Sequence, residues 1–277
     1  MLSRRLGVLF GIILVLILIL VYLIGVRYLS VLLIIPFAAL AGVFVLHQDI
    51  DKWWYRKHPG KLPDGLRSFI TQHLPIYRYL ESEKKLRFER EVMIFIRVKS
   101  FVPKGFESIP EEIKAILAIF AVLPMINRPH WSSRLAHFDN IVLYNHLFPS
   151  PQFPNHLHAS ELHRDDGVAV FCIPHFLQAF KNPLQFFNTA LYEWSRIYIN
   201  DDLDFKIPFY QLEQISGFQN SSLIQYIGLP EPEMDWRAVT IHHFYMFPVK
   251  FKMLQEKTYN MLSGYFNIDP VKVLHPN

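Results

Sequence analysis

The sequence predicts an α+β domain, mostly helical with a small sheet, preceded by an N-terminal transmembrane helical hairpin. Three observations lead to this prediction. Residues 6–46 are almost free of charge, and most of the remaining chain spaces its apolar residues as helices do. Two short runs rich in β-branched and aromatic residues, 140–144 and 167–172, interrupt the helical pattern and predict strands.

The apolar N-terminal stretch, residues 1–47, is long enough to cross a bilayer twice. Leu6–Val26 has 21 residues and extends about 31 Å as a helix, and Tyr28–Leu46 has 19 residues. Arg27 is the one charge between Leu6 and Leu46, in a short Gly-Val-Arg-Tyr segment that predicts a tight turn. We therefore expect two spans, about 6–26 and 28–46, with Arg27 reaching the membrane interface.

Positive charges flank both outer ends of this stretch: Arg4 and Arg5 precede it, and Lys52, Arg56, Lys57 and Lys61 follow it. The positive-inside rule then places both ends, and everything after about residue 48, on the cytoplasmic side of the inner membrane. A secretory signal peptide is the competing interpretation, since Ala39-Leu40-Ala41 resembles a cleavage site. Its apolar region would be far longer than the usual 7–15 residues or so, which favours a retained anchor.

The composition of the chain excludes several classes of protein. Only 19% of its residues are charged and 51% are hydrophobic, which excludes intrinsic disorder, and the mean hydropathy of +0.17 is high for a soluble protein. Cys172 is the one cysteine, so a disulfide scaffold is excluded. No Lys/Arg-rich run forms a phosphate-tracking surface, and we expect no nucleic-acid partner.

After the hairpin, residues 48–63 read as a juxtamembrane linker and residues 64–277 as one domain. Helical spacing of apolar residues predicts helices over Ser82–Phe101 and Pro110–Met125. Ser108 and Pro110 are suited to the start of the second of these. After the two strands, helical patterns return at about 183–199, 204–217, 235–247 and 248–264.

Five short segments of the domain occur in a suggestive order: Phe101–Glu107, Ile141–Tyr144, the helical stretch Asn188–Tyr198, Ala238-Val239 and Asp269-Pro270. Their order and spacing, over about residues 64–271, resemble the zinc-peptidase family of the Mlc titration factor (MtfA). The resemblance implies a zincin-like fold. It also implies that the helix 188–198 corresponds to the one that carries H-E-x-x-H in the family.

In H-E-x-x-H, the two histidines lie one helical turn apart and converge on one zinc ion, while the glutamate acts as general base. The resemblance places Tyr192 and Arg196 at the two histidine positions and Glu193 at the base. It places Asp235 at the third ligand and Ile199 where an Asp often closes the motif. Arg196 is a permanent cation that cannot ligate zinc, so we expect no resident metal and a vestigial Glu193.

The charges that remain suggest an ion-pair arrangement in place of a metal. Glu193 and Arg196 are three residues apart on one helix, and Asp235 is expected to approach from a later helix. We hypothesise that Arg196 lies between the two carboxylates and replaces the charge of the metal. Without the family resemblance, an ordinary exposed helix pair, worth about 0.3–0.5 kcal/mol, is the simpler interpretation of Glu193 and Arg196.

Several other residues are of types that can act as metal ligands or nucleophiles. His156, His158, His163, Asp165 and Asp166 fall in a segment rich in Pro and Asn that reads as an exposed loop. His242 and His243 are adjacent on a predicted helix and point about 100° apart, which favours buried, hydrogen-bonded histidines over a metal clamp. Cys172 lies in an apolar strand near His175 and is expected to be a core residue.

The sequence thus favours a membrane-anchored, catalytically inactive relative of zinc peptidases that binds a protein partner. One alternative is an active zinc-dependent metallopeptidase whose ligands are relocated to residues 156–163 or to His242 and His243. Another is a helical membrane scaffold whose hairpin is the functional part. A fold alone does not decide among these.

Overall fold

The computed structural model describes residues 1–24, 27–199, 203–230 and 233–275, and the side chains of residues 27–29 are outside this description. The predicted turn at residues 25–28 and the interfacial position of the Arg27 side chain therefore lie outside the described residues. The chain divides into two compact units, residues 1–60 and 61–277.

The described part of the first unit is mostly helical. Helix α1 (Leu2–Ile24) is followed by a 3₁₀ helix (Arg27–Leu33) and by helices α2 (Ile34–Val45) and α3 (His47–Lys57). Helix α1 has 23 residues and is long and apolar enough to cross a membrane by length and composition. At about 1.5 Å per residue it extends about 34 Å.

The second apolar segment is less regular than the sequence predicts. It starts as a 3₁₀ helix, and α2 has only 12 residues, which is too short for a span on its own. The helical segment Ser30–Val45 and helix α3 meet at an angle of 74°. These two pieces form a second candidate span only if they are counted together as one broken helix. Among the described residues the structure therefore contains one candidate membrane helix, or two with the bent pair.

A buried hydrogen-bonded contact joins the two ends of this unit. The Asp51 carboxylate on α3 accepts from the Ser3 amide at 2.9 Å and from the Ser3 hydroxyl at 2.6 Å. The contact satisfies an amide in the first turn of α1, which has no carbonyl partner within the helix. It also brings the start of α1 and the middle of α3 to the same end of the unit, as in a hairpin. Part of the predicted linker 48–63 is thus helical, up to Lys57.

The second unit is an α+β domain, as predicted. Its first half contains α4 (Asp64–His73), α5 (Pro75–Arg78), α6 (Ser82–Val98), β1 (Ser100–Lys104), α7 (Glu111–Val122), α8 (Ser132–Ala136), β2 (Asn140–Tyr144), β3 (Ser160–His163) and β4 (Val168–Cys172). The second half is helical where it is described, with α9 (Ile173–Lys181), α10 (Thr189–Tyr198), α11 (Phe209–Ser216), α12 (Asn220–Ile227), α13 (Trp236–Met246), α14 (Pro248–Leu254), α15 (Glu256–Phe266) and α16 (Pro270–Leu274).

The sheet has four strands in the order β1-β2-β4-β3. The first three of these are parallel, and β3 pairs antiparallel with β4, with Ser160 opposite Phe171 and His163 opposite Val168. The register brings β3 to one edge of the sheet, where it also contacts α10. This contact connects the sheet to the helix that the sequence identifies as the candidate site.

The core of the domain is formed by apolar helices and aromatic side chains. Helix α7 is buried along nearly its whole length, which agrees with its continuous apolar sequence. Trp194 of α10 is fully buried, with its ring centroid 5.6 Å from Phe95 and 5.4 Å from Phe171. Trp194 therefore packs α10 against both α6 and the sheet. The side chains of α10 consequently have little freedom to move.

Several element boundaries differ from the predictions for physical reasons. The predicted helix 82–101 ends at Val98, because Ser100–Lys104 pairs with β2 as the strand β1. The predicted helix 183–199 starts only at Thr189, and 248–264 is two helices, α14 and α15, with a break at Gln255. Strand β3 was not predicted, because it lies in the segment that the sequence presents as an exposed loop.

Candidate functional site

Helix α10 carries the candidate site, and hydrogen bonds to side chains stabilise both of its ends. The Asn188 side chain accepts from the Leu191 amide at 2.9 Å, as an N-cap residue does. The Asn188 amide in turn donates to Nε2 of His242 at 3.0 Å. At the other end, Arg134 donates to the Tyr198 carbonyl at 2.8 Å. A basic side chain at this position also complements the helix dipole.

Glu193 lies in the middle of α10 and is fully buried. Both of its carboxylate oxygens have partners: Oε1 accepts from the Ser160 hydroxyl at 2.9 Å, and Oε2 accepts from Nη1 of Arg196 at 2.8 Å. Ser160 is the first residue of β3 and is itself fully buried. The carboxylate is thus neutralised by one cation and oriented by one hydroxyl.

Arg196 forms the charged half of this pair. Its side chain is 23% exposed, whereas the Glu193 side chain is fully buried, so the guanidinium lies between the carboxylate and the protein surface. The neighbouring Glu193 carboxylate raises the pKa of Arg196 further above its ordinary value, despite the opposing effect of burial. The guanidinium also lies 5.9 Å from the centroid of the Tyr192 ring, within cation–π distance.

The side chain of Tyr192 is hydrogen-bonded to the backbone of Asp235. The Tyr192 hydroxyl accepts from the Asp235 amide at 3.0 Å, and Tyr192 is fully buried. Burial, together with the nearby Glu193 charge, raises the pKa of the Tyr192 hydroxyl, which keeps it protonated at neutral pH. The Asp235 side chain caps α13 by accepting from the Arg237 amide at 3.0 Å.

Of the two carboxylates in the hypothesis, Glu193 is the one to which Arg196 is hydrogen-bonded. Arg196 is hydrogen-bonded to Glu193, but the hydrogen-bonding partner of the Asp235 carboxylate is Arg237, whose Nε lies 3.4 Å from Oδ1. Asp235 still acts on Arg196 through its charge. The four residues do come together, since Tyr192 bridges α10 to Asp235 while Arg196 bonds Glu193 within α10.

The residues present do not fit a zinc ion at this position. Arg196 brings a positive charge to where the resemblance implies a metal ligand, and its Nη1 is already hydrogen-bonded to Glu193. The other Glu193 oxygen is bound to Ser160, and the Tyr192 hydroxyl is bound to the Asp235 amide. A metal there would have to displace three hydrogen bonds and a cation from a buried space.

A cleft opens beside Asp235, at the start of α13. It has a volume of about 370 Å³, and its walls come from the segment 204–207 and from Met234, Asp235, Trp236, Arg237 and Thr240. Asp204 and Lys206 on one wall are exposed, and the Trp236 ring packs edge-on against Phe209, with centroids 5.3 Å apart. Aromatic, acidic and basic groups thus line one space beside Asp235.

A comparison with protein families matches a part of the chain that precedes α10. Residues 48–170 match the family described as glucose-regulated metallo-peptidase M90. Over this region the chain is similar to that family. The matched region extends from α3 to the middle of β4 and includes Ser160, but it ends before α10. A comparison with curated proteins gave no match.

The segment 156–163 does not form the exposed loop that the sequence predicts. His158 and Glu161 are buried, and Nε2 of both His158 and His163 lies near the same Glu161 oxygen, at 3.1 and 3.2 Å. Burial alone would raise the pKa of Glu161, but the hydrogen bond from His158 and its other neighbours lower it below its ordinary value. His156, Asp165 and Asp166 are exposed, as predicted.

His242 and His243 are buried and hydrogen-bonded on α13, as the sequence predicts. Nδ1 of His243 lies 2.7 Å from the Val239 carbonyl, and its Nε2 lies 2.8 Å from Oγ of Ser216. Within the described ranges, no group of three or more His, Cys, Asp or Glu side chains has an arrangement that could hold a metal ion. The structure therefore offers no relocated set of zinc ligands in that part of the chain.

Cys172 and His175 lie close together, but their surroundings favour the unreactive neutral form of each side chain. The thiol is buried, and its sulfur lies 3.4 Å from Nδ1 of His175. Burial raises the pKa of Cys172 to about 11 and lowers the pKa of His175. Neither an ionised thiol nor a charged imidazole is favoured at neutral pH, so the pair lacks the activation of a catalytic dyad.

Ser160 is the site residue that sequence reasoning missed. It follows Ala159 in a segment rich in His, Pro and Asn, where a serine carries no distinguishing signal. Its role depends on the antiparallel pairing of β3 with β4, which points its hydroxyl toward α10. A recognisable alternation of buried and exposed positions would have revealed the strand, but three of its four residues are buried.

Replacing Arg196 with methionine should destabilise the fold by about 3–5 kcal/mol, because it leaves the buried Glu193 carboxylate without its cation. The double variant Arg196→Met/Glu193→Met should recover most of this loss. Arg237→Met is the matched control: its pair with Asp235 is longer and only partly buried, and should contribute about 1 kcal/mol or less. Thermal unfolding of the intact, detergent-solubilised chain measures all three. Equal, small effects of Arg196→Met and Arg237→Met would contradict this account of Glu193.

The buried histidines of α13 should make stability depend on pH. Burial lowers the pKa of His243 from 6.5 to about 4, so the unfolded chain binds a proton between these values that the folded chain does not. Stability should therefore fall as the pH drops from about 6.5 to 4, by up to about 3 kcal/mol from this residue. The fall should be smaller in His243→Gln, while the exposed control His156→Gln should behave as the wild type. Melting curves across this pH range check it, and an unchanged slope in His243→Gln would contradict it.

Proposed function

We propose that this M90-family chain is a membrane-anchored, catalytically inactive relative of the family's peptidases that binds a protein partner. The observation that carries the proposal is the 2.8 Å ion pair between Arg196 and the buried Glu193. It occupies the place where the resemblance implies a metal and its general base. The Glu193 carboxylate is fully buried and ion-paired, so it is poorly placed to accept a proton from a water molecule.

The loss of catalysis follows from which groups have been replaced. A zinc peptidase needs neutral or anionic ligands around the metal and an available carboxylate beside it. Here Tyr192 is a protonated phenol bonded to a backbone amide, and Arg196 is a fixed cation. Glu193 is the one member of the implied set that is retained, and its two oxygens are bound to Ser160 and Arg196.

The proposed anchor is the unit of residues 1–60. Helix α1 has the length and apolar composition of a membrane span, and the bonds from Ser3 to Asp51 return the chain to the end where it started. Both observations support a hairpin with two passes. The basic residues that precede and follow the apolar stretch support a cytoplasmic position for the domain at the inner membrane.

Binding of a protein partner is assigned to the cleft beside Asp235. Its volume of about 370 Å³ is enough for one or two side chains of a partner, and Trp236 supplies an apolar wall. Exposed Asp204 and Lys206 offer charges of both signs at the rim. A cleft of this kind, in a domain whose Glu193 is held in an ion pair, would recognise a polypeptide without cleaving it.

The proposal predicts that the purified full chain contains far less than one zinc ion per molecule. The Tyr192→His/Arg196→His variant should contain more zinc, because it removes the cation and adds two imidazoles one helical turn apart. Elemental analysis of both proteins, purified side by side, measures this. Stoichiometric zinc in the wild type, with a peptidase activity that Glu193→Gln abolishes, would overturn the proposed inactivity.

A photo-crosslinking amino acid in place of Lys206 should capture a discrete partner in cells. Trp236→Ala should reduce this adduct about tenfold or more, since a central tryptophan commonly dominates a binding site. The same crosslinker in place of exposed Glu83 on α6 is the matched control and should give no such adduct. Identical adduct patterns from both positions would refute binding at the cleft.

A reporter fused after His275 should show cytoplasmic activity, because both ends of a two-pass anchor lie on the side that carries the positive charges. A second fusion after Ile24, at the end of α1, should report the opposite side of the membrane. Paired enzymatic reporters that are active on only one side make the measurement. Periplasmic activity of the His275 fusion would reject the cytoplasmic orientation.

A further inference from the structure

Helix α14 exposes an apolar stripe that the domain does not cover. Val249 is 42% exposed, Met253 78% and Leu254 48%, whereas Phe251 on the opposite side of the helix is fully buried. Val249 and Met253 are four residues apart, so their side chains lie one above the other on the same face. Three neighbouring aliphatic side chains thus face solvent over both turns of the helix.

Lysines accompany this stripe. Lys250 is exposed beside Leu254, its neighbour one turn on, and Lys257 is exposed in the first turn of α15. Lys252 is held inward, with Nζ 3.8 Å from the Asp269 carboxylate and 5.3 Å from the centroid of the Tyr259 ring. Asp269 is thus already paired, and Glu256 is the acidic residue that remains beside Lys250 and Lys257.

The apolar surface continues into a cavity at the start of the helix. Pro248 and Met246 line a cavity of about 260 Å³ together with Leu184, which is 69% exposed. Leu184 follows the exposed Lys181, the last residue of α9. Leu184 and Pro248 of α14 thus line one cavity, and the neighbouring segments each carry an exposed lysine, Lys181 and Lys250.

We propose that this surface, formed by Leu184, Val249, Lys250, Met253, Leu254 and Lys257, docks onto an anionic phospholipid bilayer. Aliphatic side chains enter the boundary between headgroups and acyl chains, while lysines stay at the level of the phosphates. Each lysine near an anionic surface adds to the attraction. The inference goes beyond the proposed protein-binding function and does not depend on the Arg196–Glu193 pair.

Two other occupants fit these residues less well. A second copy of the chain, joined through a two-fold axis, would bring two surfaces of the same net positive charge together, with one Glu256 per copy to balance Lys250 and Lys257. A protein partner is usually recognised through aromatic or arginine anchors, and the exposed face of α14 carries neither. Charge and side-chain type both favour lipid.

The test uses the full chain reconstituted into vesicles, with Met253→Cys in a Cys172→Ala background and an environment-sensitive fluorophore on the new cysteine. Vesicles contain phosphatidylcholine alone or mixed with phosphatidylglycerol, and brominated acyl chains serve as quenchers. The matched control is Leu86→Cys on α6, whose native side chain is 67% exposed, close to the 78% of Met253. Circular dichroism checks that each variant is folded.

We expect bromolipid to quench the probe at position 253 in phosphatidylglycerol vesicles several times more than the probe at 86. Lys250→Glu/Lys257→Glu should lower this quenching about tenfold, as should high salt. No quenching at 253, or equal quenching at both positions, would overturn the proposal. A spectral shift at 253 without quenching, which disappears when the chain is diluted in the membrane, would assign the surface to a second copy and overturn it too.

Discussion

The candidate site depends on one constraint, which is that the charge of a fully buried carboxylate must be balanced. Glu193 lies at the centre of the domain, where an unpaired carboxylate would cost several kcal/mol. A metal ion or a basic side chain can each supply the balancing charge. In this chain Arg196 supplies it from one turn along the same helix, and Ser160 completes the hydrogen bonding from the sheet edge.

This solution has consequences for the surrounding structure. Because the balancing charge is covalently part of α10, it is retained without any bound cofactor, and the helix, β3 and α13 are joined around it by hydrogen bonds. The portion that matches the M90 family, residues 48–170, supplies the sheet and Ser160, while α10 and the cleft lie beyond it. Under the proposed function, this scaffold carries a binding surface in place of a metal centre.

The sequence was sufficient to predict the α+β class, the strands at 140–144 and 168–172 and the pairing of Glu193 with Arg196, because these rest on local spacing. It was insufficient for β1 and β3, which are strands only because distant segments pair with them. The position of Asp235 shows the same limit: its side chain caps α13 and bonds Arg237, a local choice that competes with Arg196. Long-range pairing and competition between partners are properties of the folded chain.

The proposed inactivity depends on Arg196 standing where the resemblance implies a metal ion, beside Glu193. Anomalous diffraction at the zinc absorption edge, from crystals of the full chain grown with excess zinc, shows which of the two is present. If Arg196 holds this position, no anomalous peak lies next to Glu193, and the Arg196 guanidinium is within hydrogen-bonding distance of that carboxylate. An anomalous peak bound to Glu193, with Arg196 turned away from it, would show that a metal ion occupies the site instead.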